Sequence, residues 1–326
     1  MLQKVVSMKG VKVKYVNPEI LKELASLKPD AYNRMRGKYP KSEKWLFGED
    51  YPTYNQLIEL SKIFNVPFGY FFFKELPKYE VPQVLYKTIE NNHFKPSEEL
   101  LDTIKFAQRV QDWAKDILLE LGNDKIDFCG KYKSNFDLNA IVNELKVIFD
   151  VKEGWVKSKR TWKDAFRYLV DKAEEKGIIV LVNGGVGNNT HRKLNVNEFR
   201  GFVLYDDIAP VVFINNNDTL SGKIFTLIHA VVHILIGENT PDNEIEKFCD
   251  KCAAEFLNNF TKFLQETHGE EHSHLNFYET VELRLSKRFL SLLKSAINEN
   301  LITYKDALLI TDLKAKTFFK LIGKNT

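Results

Sequence analysis

Phe225-Thr226-Leu227-Ile228-His229-Ala230-Val231-Val232-His233 is the stretch on which the reading of this chain turns. Two histidines four residues apart on a helix leave the same face one turn apart. That spacing lets two imidazole nitrogens meet one tetrahedral metal ion. Leu227, Val231, Val232, Ile234 and Leu235 are apolar, which predicts a helix over about 221–236 that is buried on most sides. Two imidazoles in such a setting need partners. The plain alternative is that one ring caps a carbonyl and the other pairs with a surface carboxylate.

Upstream of this helix, Ile178–Val182, Phe199–Leu204 and Val211–Ile214 are dense in Val, Ile and Phe and are separated by Asn, Asp and Gly turns, which predicts a small sheet. Helices are predicted over about 137–149 and 161–176, the second ending at Gly177. Downstream, a loop with Pro241 leads to a helix over about 243–263, and residues 276–322 are helical again. The order α–α–β–β–β–α–α predicts an α+β domain, not a series of βαβ units. Gly184-Gly185-Val186-Gly187-Asn188-Asn189 lacks the Lys-Ser/Thr of a phosphate loop and reads as a hairpin-like turn.

The downstream helix opens with acids, and a short connection packs it antiparallel to the histidine helix. A carboxylate there supplies a third ligand. Glu246 and Glu255 compete for the role and point to opposite sides of their helix. The face of Glu246 continues through Cys249, Ala253, Leu257 and Phe260, whereas Glu255 neighbours Lys251, Asn258 and Asn259, so Glu246 is the expected ligand. The residue after the first histidine is Ala230, where H-E-x-x-H metallopeptidases carry the glutamate that takes a proton from zinc-bound water. Alanine leaves both imidazoles in place but accepts no proton. Loss of general-base catalysis usually costs about 10²–10⁴-fold in rate.

The rest of the chain sets the frame. Its 326 residues suit about two domains. With 44 % apolar and 28 % charged residues and few Gly and Pro, it is neither disordered, collagen-like nor a disulfide-built mini-domain. The net charge of +3 is too small to imply nucleic-acid binding, although residues 1–80 carry +5. Residues 17–78 read as a small helical domain of helix-turn-helix size, with Asn17-Pro18 and Thr53/Gln56 as helix starts. Residues 79–96 read as linker, and Ser97 caps a long helix running to about Leu121. Three cysteines, Cys129, Cys249 and Cys252, without framework spacing point to a reducing compartment. The first residues lack the apolar run of a signal peptide, and no segment approaches membrane-spanning length, so a cytoplasmic location is expected.

These motifs together resemble the ImmA/IrrE family of zinc metallopeptidases, in the form fused to an N-terminal Xre-like helix-turn-helix. The resemblance is carried by Gly177-Ile178-Ile179-Val180, Phe199-Arg200-Gly201-Phe202, Ala209-Pro210-Val211-Val212-Phe213-Ile214-Asn215, the stretch from Phe225 to His233, and Glu246 through Ala253-Ala254-Glu255. The front end resembles the fused part through Val16-Asn17-Pro18-Glu19-Ile20-Leu21, Tyr51-Pro52-Thr53-Tyr54 and Val66-Pro67-Phe68-Gly69-Tyr70. The resemblance implies an Xre-like domain over 1–78, a helical linker region over 79–135, a gluzincin-like metallopeptidase domain with a small sheet over 136–264, and a C-terminal helical region over 265–326. It implies His229, His233 and Glu246 as zinc ligands and Ala230 at the position of the catalytic glutamate. With the surrounding motif intact, that alanine reads as a substitution that silences a peptidase. Family members cleave transcriptional repressors, often beside toxin–antitoxin or phage-related genes, so a protein substrate of that kind is expected, with DNA or a helix-turn-helix protein as the contact of the front end. The stretch Arg34–Lys41 departs from the family, since Gly37 and Pro40 interrupt what should be a groove-reading helix.

His268, His272 and His274 lie in a charged, Gly-containing segment that reads as a surface loop, a lid over the zinc site or a second metal site. Cys249 and Cys252 read as packed thiols, with oxidation sensing or metal uptake as the alternative. Tyr205 flanks a strand suited to receive a peptide as an added strand, and either polarises the scissile carbonyl or is a plain edge residue. The competing functions are a zinc endopeptidase disabled at 230, a natural non-catalytic zinc sensor or partner-binding regulator, and a DNA-binding repressor with a ligand-sensing domain.

Overall fold

The computed structural model describes residues 12–64, 66, 68–76, 96–151, 161–237, 243–266 and 276–323, with backbone only for 259–266. The chain divides into two compact units, Met1–Glu80 and Val81–Thr326. Among the described residues no helix is long and apolar enough to cross a membrane.

The first unit is helical: α1 Pro18–Leu27, α2 Pro29–Lys38, α3 Glu43–Leu46, α4 Tyr54–Ile63 and a 3-10 turn at Phe68–Phe72. The Asn17 side chain accepts from the Glu19 amide and donates to the Phe73 carbonyl, so one residue starts α1 and ties down the aromatic tail. Thr53 and Gln56 form the expected reciprocal cap of α4. Ile20, Leu21, Leu24, Met35, Leu57, Leu60, Phe64 and Phe71 close the core. Helix α2 runs through Gly37, and the chain leaves it before Pro40, so the proline alone ends it. The helix that follows, α3, has four residues, too few to lie along a major groove.

The second unit begins with α5 Glu98–Glu120, α6 Leu138–Ile148 and α7 Trp162–Glu175. Next come β1 Ile179–Asn183, β2 Gly185–Val186, β3 Asn189–Lys193, β4 Gly201–Leu204 and β5 Val211–Asn215. Helices α8 Leu220–Ile236, α9 Asn243–Glu266, α10 Phe277–Leu285, α11 Lys287–Asn298, α12 Tyr304–Thr311 and α13 Ala315–Leu321 complete it. The main sheet has the order β1-β5-β4, with β1 parallel and β4 antiparallel to β5. The glycine-rich segment is a turn in the separate β2–β3 hairpin, as its lack of phosphate-loop chemistry implied.

Val180, Val182, Val203, Val212 and Ile214 face a core built with α6, α7, α8 and α9. Ile179, Leu181, Phe202, Leu204 and Phe213 face a second core built with α5 and the C-terminal helices. The result is an α+β unit in which helices cover both sheet faces. Within Val81–Thr326, α5 and the C-terminal helices pack on the same sheet as α6, α7, α8 and α9, so the described residues form one unit across the expected divisions at 135/136 and 264/265. Strands that bury side chains on both faces need a helical layer on each, and α5 with α10 and α11 supplies the second one.

Candidate metal centre

Helix α8 begins at Thr219, whose side chain accepts from the Gly222 amide, and ends at Gly237 in a left-handed conformation (φ 75°). Its last carbonyls are not left open: the amides of Gly130 and Tyr132 donate to the carbonyls of Ile234 and Leu235, both at 2.9 Å. Gly130 and Gly237 touch so closely that a Cβ at 237 would lie 2.6 Å from the Gly130 Cα. The helix is therefore clamped at both ends, and nearly every residue from Ile224 onward is buried.

Its two histidines sit on the face toward α9. Nε2 of His229 and Nε2 of His233 are 3.0 Å apart. Glu246, in the first turn of α9, places Oε2 3.3 Å from the former and Oε1 3.3 Å from the latter. Glu255 is exposed and stays outside this group. Beyond the three, Oδ1 of Asp250 lies 3.0 Å from Nδ1 of His229, close enough for an ion pair although off the line of the ring N–H. Cys249 Sγ lies 3.7 Å from Nδ1 of His233. Asp250 escaped the sequence reading; its only signal is that it follows Glu246 by one helical turn.

The electrostatics follow from this crowding. Burial opposes charge on both rings, but the carboxylates of Asp250 and Glu246 outweigh it at His229, whose pKa is raised. At His233 burial prevails over the pull of Glu246, aided by repulsion from His229, and the pKa is lowered. Glu246 is held down to about 2, because the two imidazoles overcome the upward push of its burial.

The donor set fits a metal ion. Two facing imidazole nitrogens can share one proton at most, and Oε1 of Glu246 is buried with no aimed hydrogen-bond donor among the described residues. A tetrahedral ion bound at about 2.0–2.1 Å keeps its ligand atoms roughly 3.3 Å apart, close to the separations between these three side chains. Among the described residues, His229, His233 and Glu246 are the group that could hold a metal ion.

An opening reaches this group. It is a cleft lined by Gly201, Phe202 and Val203 of β4 and by Thr226, His229, Ala230 and His233 of α8. Ala230 therefore faces the same space as the two histidines. Among the described residues β4 is an edge of its sheet, hydrogen-bonded to β5 on one side. Tyr205 is not among the residues lining the cleft: its hydroxyl donates to Asp207 and lies against Gly130 and Gly237 at the C-terminal end of α8. It lies one residue past β4, which places its hydroxyl at the glycine that ends the helix. All three cysteines are free. His268, His272 and His274 lie outside the described residues.

No protein-family model, curated protein or solved structure matches the chain.

Proposed function

We propose that this chain is a zinc-dependent endopeptidase of the ImmA/IrrE type that Ala230 has disabled. The observation that carries the reading is the convergence of His229, His233 and Glu246 beside a cleft whose wall includes residue 230. His229, His233 and Glu246 would hold the ion, with Asp250 and Cys249 steadying the imidazoles from behind. Bound there, zinc would supply Lewis acidity toward a peptide carbonyl and toward water.

The remaining work belongs to the protein. Among the described residues β4 pairs with a strand on one side only, and an extended peptide added along its other side would lie with its backbone, not a particular side chain, beside the histidines. Residue 230 is where a proton acceptor would stand, and its methyl group accepts none. Hydrolysis by this chain is therefore expected to fall about 10²–10⁴-fold below that of a chain with a carboxylate there. The substrate class is a regulatory protein such as a repressor or antitoxin, reached in the cytoplasm. Three unpaired cysteines agree with that compartment. The first unit would dock on such a partner or on DNA, and the four-residue α3 favours the protein.

Ala230 itself favours one other reading, a natural zinc-binding sensor or partner-binding regulator that never hydrolyses. Replacement Ala230→Glu separates the two. The variant, loaded with zinc and mixed with purified helix-turn-helix repressors or antitoxins encoded beside its gene, is expected to give cleavage products that chelation abolishes and zinc restores. A zinc-loaded variant that cuts none of them decides for the sensor.

A further inference from the structure

Thr226 stands one turn before Ala230 on the face of α8 that lines the cleft. It is only 8 % exposed, and its Oγ1 is sealed from solvent with no hydrogen-bond partner among the described residues. The carbonyl one turn back, the usual acceptor for a helical threonine, is not taken. The methyl group is accounted for by packing. A Cβ at Gly201 would lie 2.5 Å from Thr226 Cγ2, so the methyl lies directly on the backbone of β4. Packing does not account for the hydroxyl. Valine would fill the same space without burying an unpaired polar atom, so the oxygen calls for an acceptor that the chain lacks.

The position of that acceptor follows from helix geometry. Side chains on a helix lean toward its N-terminus, over the residue one turn before. Any side chain longer than alanine at position 230 is thereby directed over Thr226. We propose that Thr226 is the positioning residue for a carboxylate at position 230, its Oγ–H donating to one side-chain oxygen and leaving the other toward His229, His233 and Glu246. This rests on the reading of Ala230 as the site of a missing proton acceptor. It gives the buried hydroxyl a partner and the flexible carboxylate one orientation, at a place where a free rotamer would cost rate.

The test is a double-mutant cycle on the full chain, read as thermal midpoints with zinc present: the chain as it stands, Thr226→Val, Ala230→Glu, and the pair. Alone, Thr226→Val is expected to leave the midpoint unchanged or raise it. Combined with Ala230→Glu it is expected to lower the midpoint by about 4 °C relative to Ala230→Glu, the shift of one lost hydrogen bond in a unit of this size. Thr226→Ser loses only the packed methyl and keeps the hydroxyl, so it should lower the midpoint equally with Ala230 and with Ala230→Glu, unlike Thr226→Val. Ala230→Gln, whose amide oxygen also accepts, serves if Ala230→Glu does not fold. Equal shifts from Thr226→Val in both backgrounds overturn the proposal. Coupling without cleavage of any regulator supports the pairing while ending the peptidase reading; cleavage with additive midpoints ends the pairing alone.

Discussion

The carboxylate of Asp250 lies 3.0 Å from Nδ1 of His229, on the side of the ring away from the nitrogen that faces His233 and Glu246. A carboxylate behind a ligating imidazole raises its basicity. Asp250→Ala is therefore expected to weaken zinc binding by about 10–100-fold, and Asp250→Asn by less, because the amide oxygen still meets the ring. Competition against a chromophoric chelator measures both. Equal affinity in all three proteins would remove Asp250 from the site.

The other imidazole has a weaker support, the Cys249 sulfur at 3.7 Å. That thiol is fully buried, and burial pushes its pKa up, as it does for Cys252 and Cys129, each to about 12. Thiolate, the reactive species, is then scarce at pH 8. A disulfide reagent at that pH is expected to label the native protein slowly and all three thiols promptly once it is unfolded. A prompt reaction of Cys249 in the folded chain would contradict its packing against His233.

Gly237 ends the histidine helix with φ 75°, against the Gly130 Cα. An added methyl meets both a disfavoured backbone region and a backbone atom that cannot swing away. Gly237→Ala is expected to destabilise the second unit by at least about 2 kcal/mol, read by chemical denaturation. It should also weaken zinc binding, since the amides of Gly130 and Tyr132 close the same helix end.

What could be read from the sequence was what local chemistry determines. The Thr53/Gln56 cap, the Ser97 cap, the paired faces of His229 and His233 and the inward face of Glu246 each depend on residues within a turn or two of one another. Asp250 was hidden because it is one acid among several on a charged helix start, and only its approach to α8 distinguishes it. The place of Tyr205 depends on where β4 stops relative to the last turn of α8, a tertiary relation with no local signature. The role of residues 98–120 and 277–298 as the second cover of the sheet did have a signal. Ile179, Val180, Leu181 and Val182 are apolar on both faces, which already requires two layers.

Glu174, near the end of α7, is buried against the α10–α11 junction, and its carboxyl is pushed up to about 7. Burial is the main cause, with Asp171 adding to it; the Ser286 hydroxyl, Lys287 and the Arg288 amide pull the other way and lose. In the unfolded chain the group titrates near 4.5. Between these values the folded protein holds the proton and the unfolded chain does not, so the contribution of Glu174 to folding stability falls as pH rises from about 4.5 to 7 and is constant beyond. The loss amounts to at most about 3 kcal/mol. Glu174→Gln keeps the shape without the charge and is expected to remove this slope, leaving the variant more stable than its parent at pH 8 and similar to it at pH 4.5. Denaturation midpoints across that range measure it, and parallel curves for the two proteins would show that Glu174 is not held neutral by its surroundings.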